Sequence, residues 1–488
     1  MSLFPGRPGS VAVHVAAGVA VALALACGLR PAAASELLIA RGPVLGAGLV
    51  TTLEVALIQA YQNNPQLNAQ RAATRVIDEN VAIALSGYRP RLSGTASLSE
   101  NYLDNLSRTD TGSVRQSGST TVTTFGLTST QTLFNGFQTG NRTRQAEGQV
   151  FAARETLRST EQSILLNAVT AYMNLLRDAA ILELQRSNIR VLEATLRQTR
   201  DRFNVGEVTR TDVAQSESRL AAGRSSMLNA ESNYITSRAA FRQVIGVDPG
   251  RLTAAMPVDR HSPRTLDGAL ARGRTEHPTI TTAMYNVDVA LLQVKIAEGA
   301  LYPTLALQGN VQKSFGGPSS LTTVETFNAS VGTQLTVPIY QGGAEYAAIR
   351  QAKETLAQRR LDLDTAREQV QATVVQAWGQ LAAARAQIEA TQAQVTATEI
   401  ALNGVREEAR VGQRTTLDVL NAQQDLVNAR VSLVTAQRDR VVASYAVLAA
   451  TGGLSPQILG LRIPVYDPMV HYQQVRDSWA GVRTPDGR

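Results

Sequence analysis

The sequence predicts a mostly α-helical protein, internally duplicated, with membrane β-strands inserted at the same place in each half. Three observations carry this reading. The stretch "FNVGEVTRTDVAQSE" at Phe203 returns about 206 residues later as "ARVGQRTTLDVLNAQ" at Ala409, without a gap. Long segments on either side of both copies repeat apolar residues at steps of three and four, the spacing of helices packed as coiled coils. Between these helices lie four stretches of period-two alternation, each long enough to be a tilted strand crossing a membrane.

In chain order, the N-terminus carries Arg7, an apolar run from Val11 to Leu29 and then "PAAASE", whose Ala32 and Ala34 fit an A-x-A cleavage site. Residues 1–34 read as an export signal, followed by an extended segment over 35–52. Cys27 lies inside the signal after "LALA" and raises the question of lipidation, although Ala24 stands where such sites prefer a larger aliphatic residue. Removal of the signal would leave no cysteine, so packing alone would hold an exported chain. No later stretch offers 18 consecutive apolar residues, so no helix is expected to span a membrane.

The first repeat is read as residues 53–252: a helix over 53–87, strands over about 91–104 and 121–134, a very long helix over 138–204, a turn at Val205-Gly206 and a helix over 209–245. A linker over 253–265 leads to the second repeat, 266–453, with strands over about 304–313 and 326–338 and a turn at Val411-Gly412. Residues 454–488 form a C-terminal extension, expected to wrap the outside or stay flexible. The alignment reaches well beyond the turn: "LEVALIQAYQNNPQL" from Leu53 matches "LDGALARGRTEHPTI" from Leu266, placing Pro65 on Pro278. "SGYRPRLSGTAS" matches "GALYPTLALQGN", placing Pro90 on Pro303, and "LFNGFQTGNRTRQA" matches "IYQGGAEYAAIRQA". The offset drops from about 213 to about 206 across the intervening loop, one small indel where loops tolerate it.

Heptads are clearest in the second half. Leu417, Leu420, Gln424, Val427, Val431, Val434, Arg438, Val441, Tyr445 and Leu448 form one seam. The preceding helix carries Ile349, Leu356, Leu363, Val370 and Ala377, then a run displaced by four, Val374, Leu381, Ile388, Val395, Leu402 and Ala409. A stripe that changes face implies different neighbours at different heights. The helix over 138–204 would be roughly 100 Å long at 1.5 Å per residue, so two shorter helices stacked end to end should cover it.

Leu305, Leu307, Gly309 and Val311 alternate with Ala306, Gln308 and Asn310, and Phe327, Ala329 and Val331 with Asn328 and Ser330; Leu92 to Tyr102 and Thr121 to Leu133 repeat the pattern more weakly. Pro90 and Pro303 stand where helix must become strand, because proline disfavours helix in the residue before it. Tyr88, Phe134, Phe137, Tyr302 and Tyr340 gather at these junctions like an interfacial aromatic girdle. Ordinary surface hairpins are the alternative. Four strands cannot close on themselves, and lipid tolerates no open sheet edge, so membrane strands would have to be shared among copies of the chain.

Composition narrows the function. Aromatics are only 5% and small residues abound, which suits close helix packing rather than a thick aromatic core. The formal net charge of +7 comes from dispersed arginines without a basic run, which argues against nucleic acid. After the signal only His261, His277 and His471 remain, and no cysteine, phosphate loop, metal-ligand cluster or nucleophile–base grouping is legible. The chain is therefore read as no enzyme, without cofactor or metal, and each histidine as a surface-loop or helix-end residue.

The turn has a local explanation. Gly206 and Gly412 suit the left-handed position that ends a helix, and Thr209 and Thr415, each with an acid three residues on, fit capping boxes. Asp212 and Asp418 can be first-turn acids only. If copies assemble around an axis, the same residues become acidic rings at a constriction, which select cations and open by charge change.

With these motifs in place, from "LEVALIQAYQNNPQL" through "VGE"/"VGQ" and "RTTLDVLNAQQDL" to "LAATGGL", nearly the whole mature chain resembles the TolC-type outer-membrane efflux channels. The resemblance implies a homotrimer with a 12-stranded barrel in outer-membrane lipid and a periplasmic α-barrel. It implies a passive exit duct for a tripartite efflux pump or type I secretion system, docked on a periplasmic adaptor (membrane fusion) protein and driven by an inner-membrane RND pump or ABC transporter. Asp418 and Arg414 match the acidic and basic aperture positions of the family, with Asp212 a candidate extra ring member. Val205, Gly206, Val411 and Gly412 match the tips that adaptors grip. Asn421 and Ala409 depart from the pattern, where a second acid and a tyrosine are expected. An exported coiled-coil fibre without a pore is the competing function, and it would not need alternating strands in both halves.

Overall fold

The computed structural model describes residues 51–316, 325–485 and 487. The export signal, Cys27 and most of the segment over 35–52 lie outside the described residues. Described elements follow in order as α1 (Leu53–Asn63), α2 (Pro65–Leu85), β1 (Arg91–Thr109), β2 (Gly112–Asn135), α3 (Gln138–Asn204), α4 (Arg210–Ile245), α5 (Leu266–Glu276), α6 (Pro278–Gly299), β3 (Thr304–Phe315), β4 (Glu325–Thr336), α7 (Ala344–Arg410), α8 (Thr416–Ala450) and α9 (Pro468–Val475). No described helix is long and apolar enough to cross a membrane.

One helix was expected over 53–87, and the structure has two. Asn64 is extended (ψ 122°) because Pro65 follows, and its side chain caps α2 by accepting from the Gln66 and Leu67 amides. The second repeat breaks at the same place. There His277 (ψ 123°) precedes Pro278 and its ring nitrogen accepts from the Thr279 amide.

Helix α3 is covered end to end by shorter partners. Val81 of α2 meets Ala146 and Val150, Leu67 meets Leu157 and Ile164, and farther along Leu220 of α4 meets Leu192 and Leu196. At mid-length, α1, α3, α4 and α8 converge on the largest core, around Leu57, Leu165, Tyr172, Phe241, Ile245 and Leu448. The displaced stripes of α7 serve different partners: Ala352 and Leu356 pack on α6, Val370 to Leu381 on α5, α6 and α8, and Val395 and Leu402 on α8. The change of face marks the level where one set of partners hands over to the next.

The strands form one antiparallel sheet in the order β1-β2-β3-β4, leaving β1 and β4 as edges. Its two faces differ sharply. Ser93-Thr128-Asn310-Ser330 and Thr95-Gly126-Gln312-Asn328 are cross-strand rows on one face, while Gly94-Leu127-Val311-Ala329 and Ala96-Phe125-Lys313-Phe327 lie on the other. This is the polar-lumen, apolar-lipid alternation of a membrane barrel. Phe125, Phe315 and Phe327 with the Lys313–Glu325 pair (2.5 Å) stand at the end away from the helices, and exposed Tyr88, Phe137, Tyr302 and Tyr340 at the helix end. At the junction, an added Cβ on Gly136 (φ +62°) would come 2.3 Å from the Gly299 carbonyl oxygen, so glycine permits the approach.

The first hairpin is longer than expected. Residues 105–120, read as loop, continue the ladder to a tight turn at Asp110-Thr111, with Arg115 paired to Asp104 at 2.5 Å. Serine and threonine there form cross-strand partners rather than loop.

The C-terminal extension docks on the first repeat. The Tyr466 amide donates to the Tyr61 hydroxyl (3.2 Å), and the Arg71 guanidinium lies over the Tyr61 ring at 4.4 Å and the Tyr466 ring at 5.3 Å. His471, expected at the surface, has a side chain 11% exposed and sits 3.0 Å from the buried Asp78 carboxylate. Burial pushes the Asp78 carboxyl up, against the pull of His471, Arg154 and Arg75. Arg89 stacks on Trp479 at 4.6 Å, and Arg476 meets Glu147 at 3.4 Å. The counterparts of Arg71, Asp78, Arg89 and Glu147 in the second repeat are Met284, Leu291, Tyr302 and Lys353. These four polar partners of the extension therefore belong to the first repeat alone.

Candidate functional site

The paired turns lie at the ends of α3 and α7 far from the sheet, and their backbones match closely. Val205 and Val411 cap their helices with φ near −95° and −92°, followed by Gly206 and Gly412, both at φ +81°. The amides of Glu207 and Gln413 donate to the carbonyls of Arg202 (2.8 Å) and Glu408 (2.9 Å), the closure of a Schellman motif. A Cβ on either glycine would touch nothing, so conformation alone requires glycine there. Val205 and Val411 are 77% and 70% exposed, two aliphatic side chains displayed at the tips.

Both following helices begin with a complete capping box. The Thr209 amide and hydroxyl donate to Asp212 Oδ2 at 2.9 and 2.7 Å; those of Thr415 donate to Asp418 Oδ2 at 3.0 and 2.9 Å. These bonds hold each carboxyl below the usual carboxylate range: for Asp212 the Thr209 hydroxyl leads, and for Asp418 the Thr415 amide. A depressed carboxylate stabilises its cap above the unfolded pKa and loses that contribution only as pH falls through the folded value. Opening by protonation of these two groups would therefore require pH below the ordinary carboxylate range.

Arg414 Nε donates to Glu408 Oε2 at 2.9 Å, within its own hairpin, and is held charged by it. Asn421 bridges the two hairpins: its Oδ1 accepts from Arg219 Nη2 at 2.5 Å, joining α8 to α4. Arg219 was missed from the sequence because its repeat counterpart is Asp425, so the duplication hides it. Gln423 adds a second link, accepting from Arg406 (3.0 Å) and donating to Asn188 of α3 (3.4 Å). Beneath these ties Leu192, Leu196, Leu220 and Leu420 form the nearest apolar cluster. Pro90 and Pro303, with Tyr88 and Tyr302, lie at the other end, where the Tyr88 carbonyl accepts from Gln131 (2.6 Å).

Long paired helices ending in two matching turns, continued by a four-stranded sheet with one polar and one apolar face, are the parts of a membrane channel protein. Residues 56–247 and 270–453 match the profile of the family described as outer membrane efflux protein. The chain is 42% identical over 448 residues, 91% of its length and 94% of the relative's, to outer membrane efflux protein BepC of Brucella suis biovar 1 (strain 1330). It is 26% identical over 420 residues, 83% of each chain, to outer membrane protein TolC of Escherichia coli (strain K12). Among solved structures, the Campylobacter jejuni CmeC outer membrane channel superposes with a TM-score of 0.70 at 18% identity, covering 87% of this chain and 89% of that one. The chain belongs to the outer membrane efflux protein family, a family of transport proteins, and acts as an exit duct in the outer membrane that reaches into the periplasm.

Proposed function

We propose that three copies close a 12-stranded barrel and a continuous helical tube, whose periplasmic aperture is the ring of paired tips. The observation that carries this is the matching pair of open edges. The sheet ends at β1 and β4, while α3 packs between α2 and α6 near the sheet and between α4 and α8 near the tips, with α7 beyond α6 and α8. Strand edges and helix edges thus face outward on the same two sides, where a twin would join.

In this reading Asp212 and Asp418 supply permanently ionised carboxylates at the aperture and make it cation-preferring. Val205, Gly206, Val411 and Gly412 form the grip of a periplasmic adaptor, which links the duct to an inner-membrane RND pump or ABC transporter. The Arg219–Asn421 bond holds the two hairpins of each copy together at rest. An exposed charge-assisted bond of this kind contributes about 0.5–1 kcal/mol. Three copies sum to about 1.5–3 kcal/mol, roughly a 10- to 150-fold bias toward the closed aperture.

Single-channel recording in planar bilayers tests this. Arg219→Ala should raise the time-averaged conductance of the purified protein several-fold without altering its assembly. Unchanged conductance would remove the bond from the resting lock, and no conductance in the parent chain would remove the duct.

A further inference from the structure

Among the described residues, the polar face of the sheet is neutral save for Arg91. On that face β1 presents Arg91, Ser93, Thr95, Ser97, Ser99, Asn101, Leu103, Asn105 and Ser107, and the paired strands present threonine, serine, asparagine, glutamine, glycine, alanine and valine. The other strand charges, Glu100, Asp104, Arg108, Arg115, Lys313 and Glu325, all fall on the opposite face. Arg91 starts β1 directly after Pro90, at the mouth where helices enter the sheet, in the row Arg91-Thr130-Gln308-Gly332. Its side chain is exposed, and short or uncharged neighbours leave it room.

We infer that Arg91 is the charge filter of the barrel: a cationic ring at its helix-side mouth that favours anions over cations. The inference rests on the trimeric reading. Twelve strands about 4.8 Å apart, tilted by about 40°, give a backbone wall of roughly 12 Å radius. Three guanidiniums reaching inward from that wall stand within about one Debye length, ~8 Å at physiological salt, of any ion passing between them. Hydroxyls and amides farther along carry no net charge to oppose them. The duct then meets its cargo with charge of opposite sign at its two ends: carboxylates at the tips and guanidiniums at the entrance to the barrel. A strongly basic cargo would be drawn in at the tips and held back at the barrel, and an acidic one the reverse.

The test is the reversal potential of single pores of the full chain under a potassium chloride gradient. Arg91→Gln should shift the cation-to-anion permeability ratio toward cations by about twofold or more. Lys313→Gln, the same charge change in the same sheet on the lipid face, should leave the ratio unchanged. Conducting Arg91→Gln pores with an unaltered ratio would overturn the ring while leaving the duct intact. An equal shift from Lys313→Gln would overturn the assignment of faces. A parent chain that forms no pores would overturn the trimeric reading beneath both.

Discussion

Gly412→Pro is expected to abolish export while the protein still reaches the outer membrane in assembled form. The glycine sits at φ +81°, and proline is locked near −65°. Proline also removes the amide that donates to the Ala409 carbonyl at 3.3 Å, and the adjoining Schellman bond from Gln413 to Glu408 loses its geometry. The local cost is about 3 kcal/mol or more, enough to unravel a tip anchored beyond it by the Thr415 cap and the exposed Arg414–Glu408 pair. The damage stays local because α7 places roughly 100 Å of helix between this turn and the sheet. Val411→Asp separates folding from docking: it leaves the backbone free of strain and puts a charge on an exposed aliphatic position. Export assays in cells, with the assembled fraction measured on gels without heating, read both variants. Normal export by both would show that the tips are not where a partner grips.

His471→Ala should free the C-terminal segment, at a cost of about 1–3 kcal/mol, the range for leaving a buried polar group without its hydrogen-bond partner. Asp78 is 1% exposed, and its Oδ1 has no hydrogen-bond partner, so loss of the histidine leaves a buried carboxylate with only Arg154 and Arg75 near it. The second repeat supplies the control, since it has Leu291 where the first has Asp78. Asp78→Leu combined with His471→Leu should restore most of the lost stability, because an apolar pair of similar volume needs no compensation. Limited proteolysis of residues 454–488 in the assembled protein, followed by mass analysis of the fragments, reads the outcome. Equal protection in His471→Ala and the parent would mean that the rings of Tyr466, Tyr472 and Trp479, stacked on Arg71, Arg154 and Arg89, hold the segment without the Asp78–His471 hydrogen bond.

Period and repetition made the large features legible. Heptads in α7 and α8 and alternation in β3 and β4 depend on residues close in sequence, and the duplication doubled each signal. What escaped was decided elsewhere. The breaks at Asn64 and His277 were masked because apolar spacing runs straight through them, though the aligned Pro65 and Pro278 carried the signal. The continuation of β1 and β2 through residues 105–120 was hidden because serine and threonine serve loops and cross-strand pairs alike. Asp78–His471 and Arg219–Asn421 join residues about 390 and 200 apart in sequence, and neither pair repeats in the other half. At the tips the local chemistry of glycine, threonine and aspartate was readable, because a capping box closes within four residues. The partner of Arg414 was not, because Glu407, Glu408 and Asp418 all lie near it in sequence and only the folded hairpin selects Glu408.

The sheet of one chain has two unpaired edges, which lipid cannot accept. Native mass spectrometry of the protein released from membranes in mild detergent tests the shared barrel most directly. A species of three chains, resistant to dissociation until heated, is the expected result. A stable single-chain particle would contradict the shared barrel, and with it the aperture and the ring at Arg91.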